Sequence, residues 1–198
     1  MTPAGPSPTA AVHADAVDRL GAWTAPDADQ SALRHTVLAF LAARADACSR
    51  SCEPGHLTAS AVVLSHDARH VLLTLHPRVG RWVQLGGHCE PEDDGIVAAA
   101  LREAREESGT DDLVIDPDVL HLDTHPLTCS LGVPTRHLDV RFLVRAGEGA
   151  RIAISDESDD LRWWPVDALP RDGAGDTVGE LVRRGVASAI GPRPGSHG

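Results

Sequence analysis

The segment AAALREAREESGT, residues 98–110, restricts this chain more than any other. At 100° per residue, Glu103, Glu106 and Glu107 fall within an arc of about 100°, and Val97, Ala100, Leu101 and Ala104 form an adjacent apolar stripe. The stripe must dock on another element, which brings three carboxylates to the edge of a packed face. Like charges three and four residues apart cost a helix roughly 0.2–0.5 kcal/mol per pair. A hard divalent cation removes that cost, because Mg²⁺ takes oxygen ligands, keeps several waters and bridges to substrate phosphates. Without a cation the same pattern reads as a salt-bridged surface helix, with Arg102 paired one turn ahead to Glu106.

Upstream stands GRWVQLGGHCEPEDDG, in which Gly86 and Gly87 permit close backbone approach and could expose a carbonyl to a cation. The charge balance fits such a bridge. With 29 acidic residues against 18 basic ones, all of them Arg, the formal charge is -11. Seven acids and two Arg lie in residues 87–109, and four more acids lie in 156–160. A surface this acidic excludes sequence-independent binding of long nucleic acid. A small phosphate compound remains compatible if a cation intervenes.

Here the residues reach a known pattern. The stretch resembles the Nudix box: a glycine, five residues, an acid, seven residues, then REUxEExGU with U apolar. Arg102–Thr110, REAREESGT, supplies the second half, while the first half carries one extra residue between Gly87 and Arg102 and has Asp93 or Asp94 where the acid belongs. The resemblance implies a mixed β-sheet sandwiched between helices. It also implies hydrolysis of a diphosphate linkage in a small nucleoside diphosphate derivative, with Mg²⁺ or Mn²⁺ as cofactor. Carried over by position, Glu103, Glu106 and Glu107 become metal ligands, a Gly86 or Gly87 carbonyl completes the set, and Arg102 orients a glutamate. Glu103 or Glu157 becomes the base that accepts the proton of the attacking water. Arg78 and Arg81, just before the glycines, are candidates for the substrate phosphate, with Arg141 a further one.

The rest of the chain reads as α+β. Residues 1–11 and 191–198 look like loose tails, residues 12–50 like a helical extension, and residues 57–190 like the Nudix-type domain. In the extension, Val12, Ala16, Val17 and Leu20 share one face; a second stripe runs through Leu33, Val37, Phe40 and Leu41, with Asp29 or Ser31 as cap. Such a pair packs on the following domain or on a second subunit, so a homodimer belongs among the expected partners. Strands are expected at Leu57–Leu64, 71–75, 114–122, 135–144 and 151–154. An irregular segment separates the second strand from the acidic helix, a Trp-Pro turn follows DESDD, and a last helix covers Asp176–Ile190.

Cys48, Cys52 and His56 form a C-x3-C-x3-H run, but no fourth ligand stands nearby and the spacing is not that of a common zinc finger. His56 and His88, each taken singly, read as structural, and Trp82, Trp163 and Trp164 as mainly core. No run approaches 18 apolar residues and the first ten residues lack a charged and an apolar region, so the expected location is cytoplasmic, with no membrane partner. Two other functions fit the scaffold. One is a nucleotide-binding or regulatory module without turnover, suggested by the extra residue before the helix. The other, isomerisation of a prenyl diphosphate, needs a protonating group for which the sequence offers no Tyr and only Cys89.

Overall fold

The structure is a computed structural model and describes residues 7–77, 80–128, 134–154, 158–171 and 176–191. Two helices come first, α1 (Ala10–Ala22) and α2 (Ala28–Ala43). The cap of α2 is Asp27, whose carboxylate accepts the Gln30 amide at 2.8 Å, and neither Asp29 nor Ser31. A capping side chain must reach an amide two or three residues on, and α2 starts directly after Pro26-Asp27. Arg34 of α2 donates to the carbonyls of Leu20 and Gly21, which satisfies the end of α1.

A mixed seven-stranded sheet follows, built from β1 (His56–Leu64), β2 (His70–His76), β3 (Arg81–Val83), β4 (Leu85–His88), β5 (Leu113–Thr128), β6 (Pro134–Ala146) and β7 (Asp160–Pro165). The box helix α3 (Ile96–Ser108) lies between β4 and β5, and α4 (Asp176–Ile190) closes the chain. β1 is central and buried along its whole length, with β6 parallel to it on one edge. On its other edge the β1–β2 hairpin pairs at Val63↔Leu72 and Leu64↔Val71. β3 and β4 fill the fork beyond, β3 along β2 and β4 along β1. The segment expected to be irregular is therefore strand on both sides of Gln84. Its glycines and short runs hide the period of two that marks a strand.

Two other readings change. Residues 151–154 form no strand; they run beside the end of α3, where the Ala153 amide donates to the Ser108 carbonyl at 2.8 Å. The supposed Trp-Pro turn is strand β7, antiparallel to β2. Consecutive Trp163 and Trp164 point to opposite faces, one toward Leu72, Leu85 and Ala104, the other toward Trp82 and Leu181.

Side chains alternate across the sheet as the pleat requires. Leu57, Ala59, Ala61 and Val63 face α1, α2 and α3, where they meet Leu20, Leu41, Ile96, Ala100, Ala104 and Phe142. Val62 and Leu64 face α4, against Leu143, Val178, Leu181 and Val182. Each buried Leu, Val or Phe contributes about 1.5–3 kcal/mol relative to exposure. The two apolar faces fix α3 and α4 on opposite sides of β1. Gln30 seals the sheet's outer edge: its amide accepts from Leu122 N at 2.7 Å and donates to Leu122 O at 2.9 Å. Among the described residues, no helix is long and apolar enough to cross a membrane.

Candidate active site

The double glycine sits in β4, with Gly86 opposite Ser60 and Gly87 opposite Ala59. Gly86 has φ +146°, and a Cβ there would lie 2.5 Å from the Ser60 Cα. Gly87 meets α3 instead: a Cβ would stand 2.6 Å from a Glu103 carboxylate oxygen. The absent side chain is what lets Glu103 lie against the strand. One turn further, Glu107 accepts the Gly86 amide at 2.9 Å. Both glutamates are buried, at 8% and 6% exposure, whereas the Glu106 side chain is 56% exposed.

Arg102 ties the site together. Its guanidinium donates to both oxygens of Asp93 at 3.0 Å, to Glu103 at 3.1 Å, to Glu106 at 3.0 Å and to the His88 carbonyl at 2.9 Å. The hydrogen bonds it donates to Asp93 hold the guanidinium's pKa above its usual value, so it is always a cation. Asp93 is buried and also accepts the Glu90 amide at 2.8 Å, while Asp94 is exposed. Of the two candidates for the loop acid, Asp93, six residues after Gly87, is the one that Arg102 holds.

The start of α3 has a partner in the amino-terminal extension. Asp15 of α1 accepts the amide of Ile96, the first residue of α3, at 2.9 Å. A Cβ at Gly95, just before it, would come 2.5 Å from the Asp15 carboxylate and push it aside. Arg19 holds Asp15 at 2.8 and 2.9 Å and donates to the Pro117 carbonyl at 3.0 Å. The extension, in which the sequence shows no chemistry, supplies the cap of the helix that carries the glutamates.

Of the remaining expected residues, Arg81 is exposed at the start of β3. Arg78 and Glu157 lie outside the described residues. Arg141 is not a free phosphate contact: it is 3% exposed and clamped between Asp139 at 2.7 Å and Asp123 at 2.9 Å. Asp139 also accepts from Ser60 at 2.7 Å, Thr58 at 3.0 Å and Gln84 at 3.3 Å. Burial pushes the Asp139 carboxyl up, but Arg141 and the two hydroxyls outweigh it and hold it below the usual carboxylate range. Cys89 is packed with Ile96 and Ala99, and burial pushes its thiol well up, which suits a core residue better than an acid catalyst. Trp82 and Trp164 meet edge to face at 5.2 Å in the core under α4.

Four histidines gather on the α4 side of the sheet near β4. Burial lowers the pKa of His56, and burial together with the neighbouring His88, His56 and His125 pushes His137 down to about 3. On β5, His121 is likewise pushed down to about 4 by burial and by Arg141, and its Nε2 lies 3.2 Å from the Gln30 amide nitrogen.

The family model described as NUDIX domain matches residues 54–184. Among solved structures, the fold is similar to that of a C. elegans Ap4A hydrolase, with TM-score 0.53 and 22% identity over 67% of this chain and 96% of the other. It is also similar to the E. coli dihydroneopterin triphosphate pyrophosphohydrolase, with TM-score 0.55 and 20% identity over 67% and 95%. A third, an ADP-ribose pyrophosphatase from Streptococcus suis, gives TM-score 0.52 and 19% identity over 69% and 93%. A search of curated proteins gives no match. With the family model spanning the whole sheet and the box seated on α3 against the double glycine, the chain belongs to the NUDIX domain family, whose hydrolases its sequence resembles.

Proposed function

We propose that this chain hydrolyses the diphosphate linkage of a small nucleoside diphosphate derivative, with Mg²⁺ or Mn²⁺ held by Glu103, Glu106, Glu107 and a carbonyl of Gly86 or Gly87. The observation that carries the reading is the Arg102 hub, which links Asp93, Glu103 and Glu106 to the carbonyl next to the double glycine. The residues fit such a cation. They are hard oxygen donors, and the space left by the missing Gly87 side chain is filled by the Glu103 carboxylate. When bound, the ion would screen the diphosphate and favour ionised water at neutral pH.

The chain's own groups do the rest. The Gly86 amide holds Glu107 against the strand, and Arg102, fixed by Asp93, turns Glu103 and Glu106 toward the same edge. Glu103 is the proposed acceptor of the water's proton, with Glu157 as the alternative base. Arg81, exposed on β3, is available to a phosphate oxygen. Substrate choice falls to the segments outside the box.

Dinucleoside polyphosphates, a pterin triphosphate and nucleotide sugars form the panel to test, the first two classes and ADP-ribose being suggested by the names of the similar structures. Product is expected with Mg²⁺ and none with EDTA. Glu107→Gln should lower kcat by on the order of 10²-fold or more with the fold intact. A ligand that raises Tm while no substrate is turned over with any metal would instead establish the nucleotide-binding module.

A further inference from the structure

We propose a second metal site, formed by His56, His88 and His137 on the opposite face of β4 from the glutamates, selective for a transition ion of the Zn²⁺ class. The site does not depend on the reading of the glutamates. Three strands build it: His56 opens β1, His137 lies directly across from it on β6, and His88 ends β4 opposite Thr58. The parallel pairing of β1 and β6 brings the first two together from distant parts of the chain. The three rings form a near-equilateral triangle, with centroids 4.9, 5.1 and 5.2 Å apart. Their ligand atoms all lie within 4.8 Å of one another. Among the described residues, no other group of three His, Cys, Asp or Glu is drawn this close, the box glutamates included.

The second observation is chemical. The Nε2 atoms of His56 and His137 are shut off from solvent and have no hydrogen-bond partner. A buried ring nitrogen without a partner is costly, and ring packing alone does not satisfy it. A shared cation does, through the lone pairs. The other side of His56 is already arranged for this, since its Nδ1 lies 3.4 Å from the Cys52 carbonyl, the kind of acceptor that fixes the tautomer of a ligating imidazole.

The donor set selects the ion. Three imidazoles with no carboxylate among them suit zinc, copper, iron or nickel, and Mg²⁺ takes oxygen donors instead. Tetrahedral Zn–N bonds of about 2.0–2.1 Å need nitrogens about 3.4 Å apart, so the rings, whose ligand atoms lie within 4.8 Å of one another, would draw together on the ion. Three protein ligands leave a fourth position for water or an oxygen of a bound molecule. Asp139, the nearest carboxylate along β6, is occupied by Thr58, Ser60, Gln84 and Arg141. Cys48 and Cys52 do not join: Cys48 is buried in the core on the α3 side, and Cys52 meets His56 through its carbonyl.

The test uses the full chain, stripped with a chelator and titrated with Zn²⁺ alone and with Co²⁺ alone. One equivalent is expected to stay with the protein through gel filtration, and Co²⁺ should give visible bands of a low-coordinate nitrogen site. His88→Gln and His137→Gln should each weaken binding by more than about 100-fold, beyond the loss typical of removing an outer partner. Glu103→Gln combined with Glu107→Gln, and Cys48→Ser combined with Cys52→Ser, should leave it unchanged. If a histidine variant does not fold, the wild-type imidazole nitrogen NMR spectrum decides, with Zn²⁺ shifting His56, His88 and His137 together. Absence of retained metal in the wild type, binding that survives in the folded histidine variants, or an unmoved imidazole spectrum overturns the proposal.

Discussion

Asp15 accepts the backbone amide of Ile96 at 2.9 Å, so a helix outside the family domain caps the helix that carries its box. The α3 sequence provides no such cap itself, because Gly95 precedes it and has no side chain to offer. A carboxylate at that end satisfies an orphan amide and complements the helix dipole. Asp15→Ala is expected to cost about 1 kcal/mol and to lower Tm by about 2–4 °C. Asp15→Asn should recover most of the loss. Identical melting curves for wild type and Asp15→Ala would remove the cap from the account.

Asp93 and Asp94 are adjacent in sequence and opposite in environment. Asp93→Asn weakens the grip on Arg102 and is expected to lower kcat/KM by roughly 10–100-fold, as removal of an outer partner does at metal sites. Asp94→Asn should change little. The comparison is made on the substrate that the panel identifies, and equal effects of the two substitutions would remove the distinction between them.

Gly87→Ala places a methyl group 2.6 Å from a Glu103 carboxylate oxygen. The carboxylate, the far end of a flexible side chain, must leave the strand, so activity should be lost at little cost in stability. Gly21→Ala, where no atom lies within 4 Å of the added Cβ, is the matched control and should be neutral or stabilising. Denaturant melts of both variants provide the check.

His121 is buried, with its pKa pushed from 6.5 down to about 4. Between these values the unfolded chain binds the proton and the folded chain does not, so stability rises with pH across that window. It falls as pH drops below about 6.5, by on the order of 1 kcal/mol per pH unit for this group, until the folded pKa is reached. Urea melts of the metal-free protein from pH 7 to pH 4.5 should show this slope, added to that of His137, which shifts the same way. His121→Gln should flatten it. A slope unchanged in that variant would place the acid sensitivity elsewhere.

The chain discloses its family more readily than its sheet. α3 is legible because one segment carries both a helical apolar period and the three glutamates, and β1 and β2 are legible as apolar runs. β3 and β4 are not, because Gly86 and Gly87 break the alternation, and β7 is mistaken for a turn because Trp-Trp-Pro resembles one. Within the site, Glu103, Glu106, Glu107 and Arg102 follow from local spacing. Asp93 becomes distinct from Asp94 only through burial. Asp15 and His137 have no local signal at all: each meets its partner through tertiary packing, across the α1–α3 contact and the parallel β1–β6 pairing.

β4 is only four residues long and pairs with β1 inside the fork that β2 leaves open. Its side chains alternate, so a register slip of a single residue would exchange its faces. His88 would then turn toward Glu103, and the glycine gap would open on the histidine side. Both clusters would fail in the same misfolded molecule, so a population showing one intact and the other lost would have to be chemically altered rather than misthreaded.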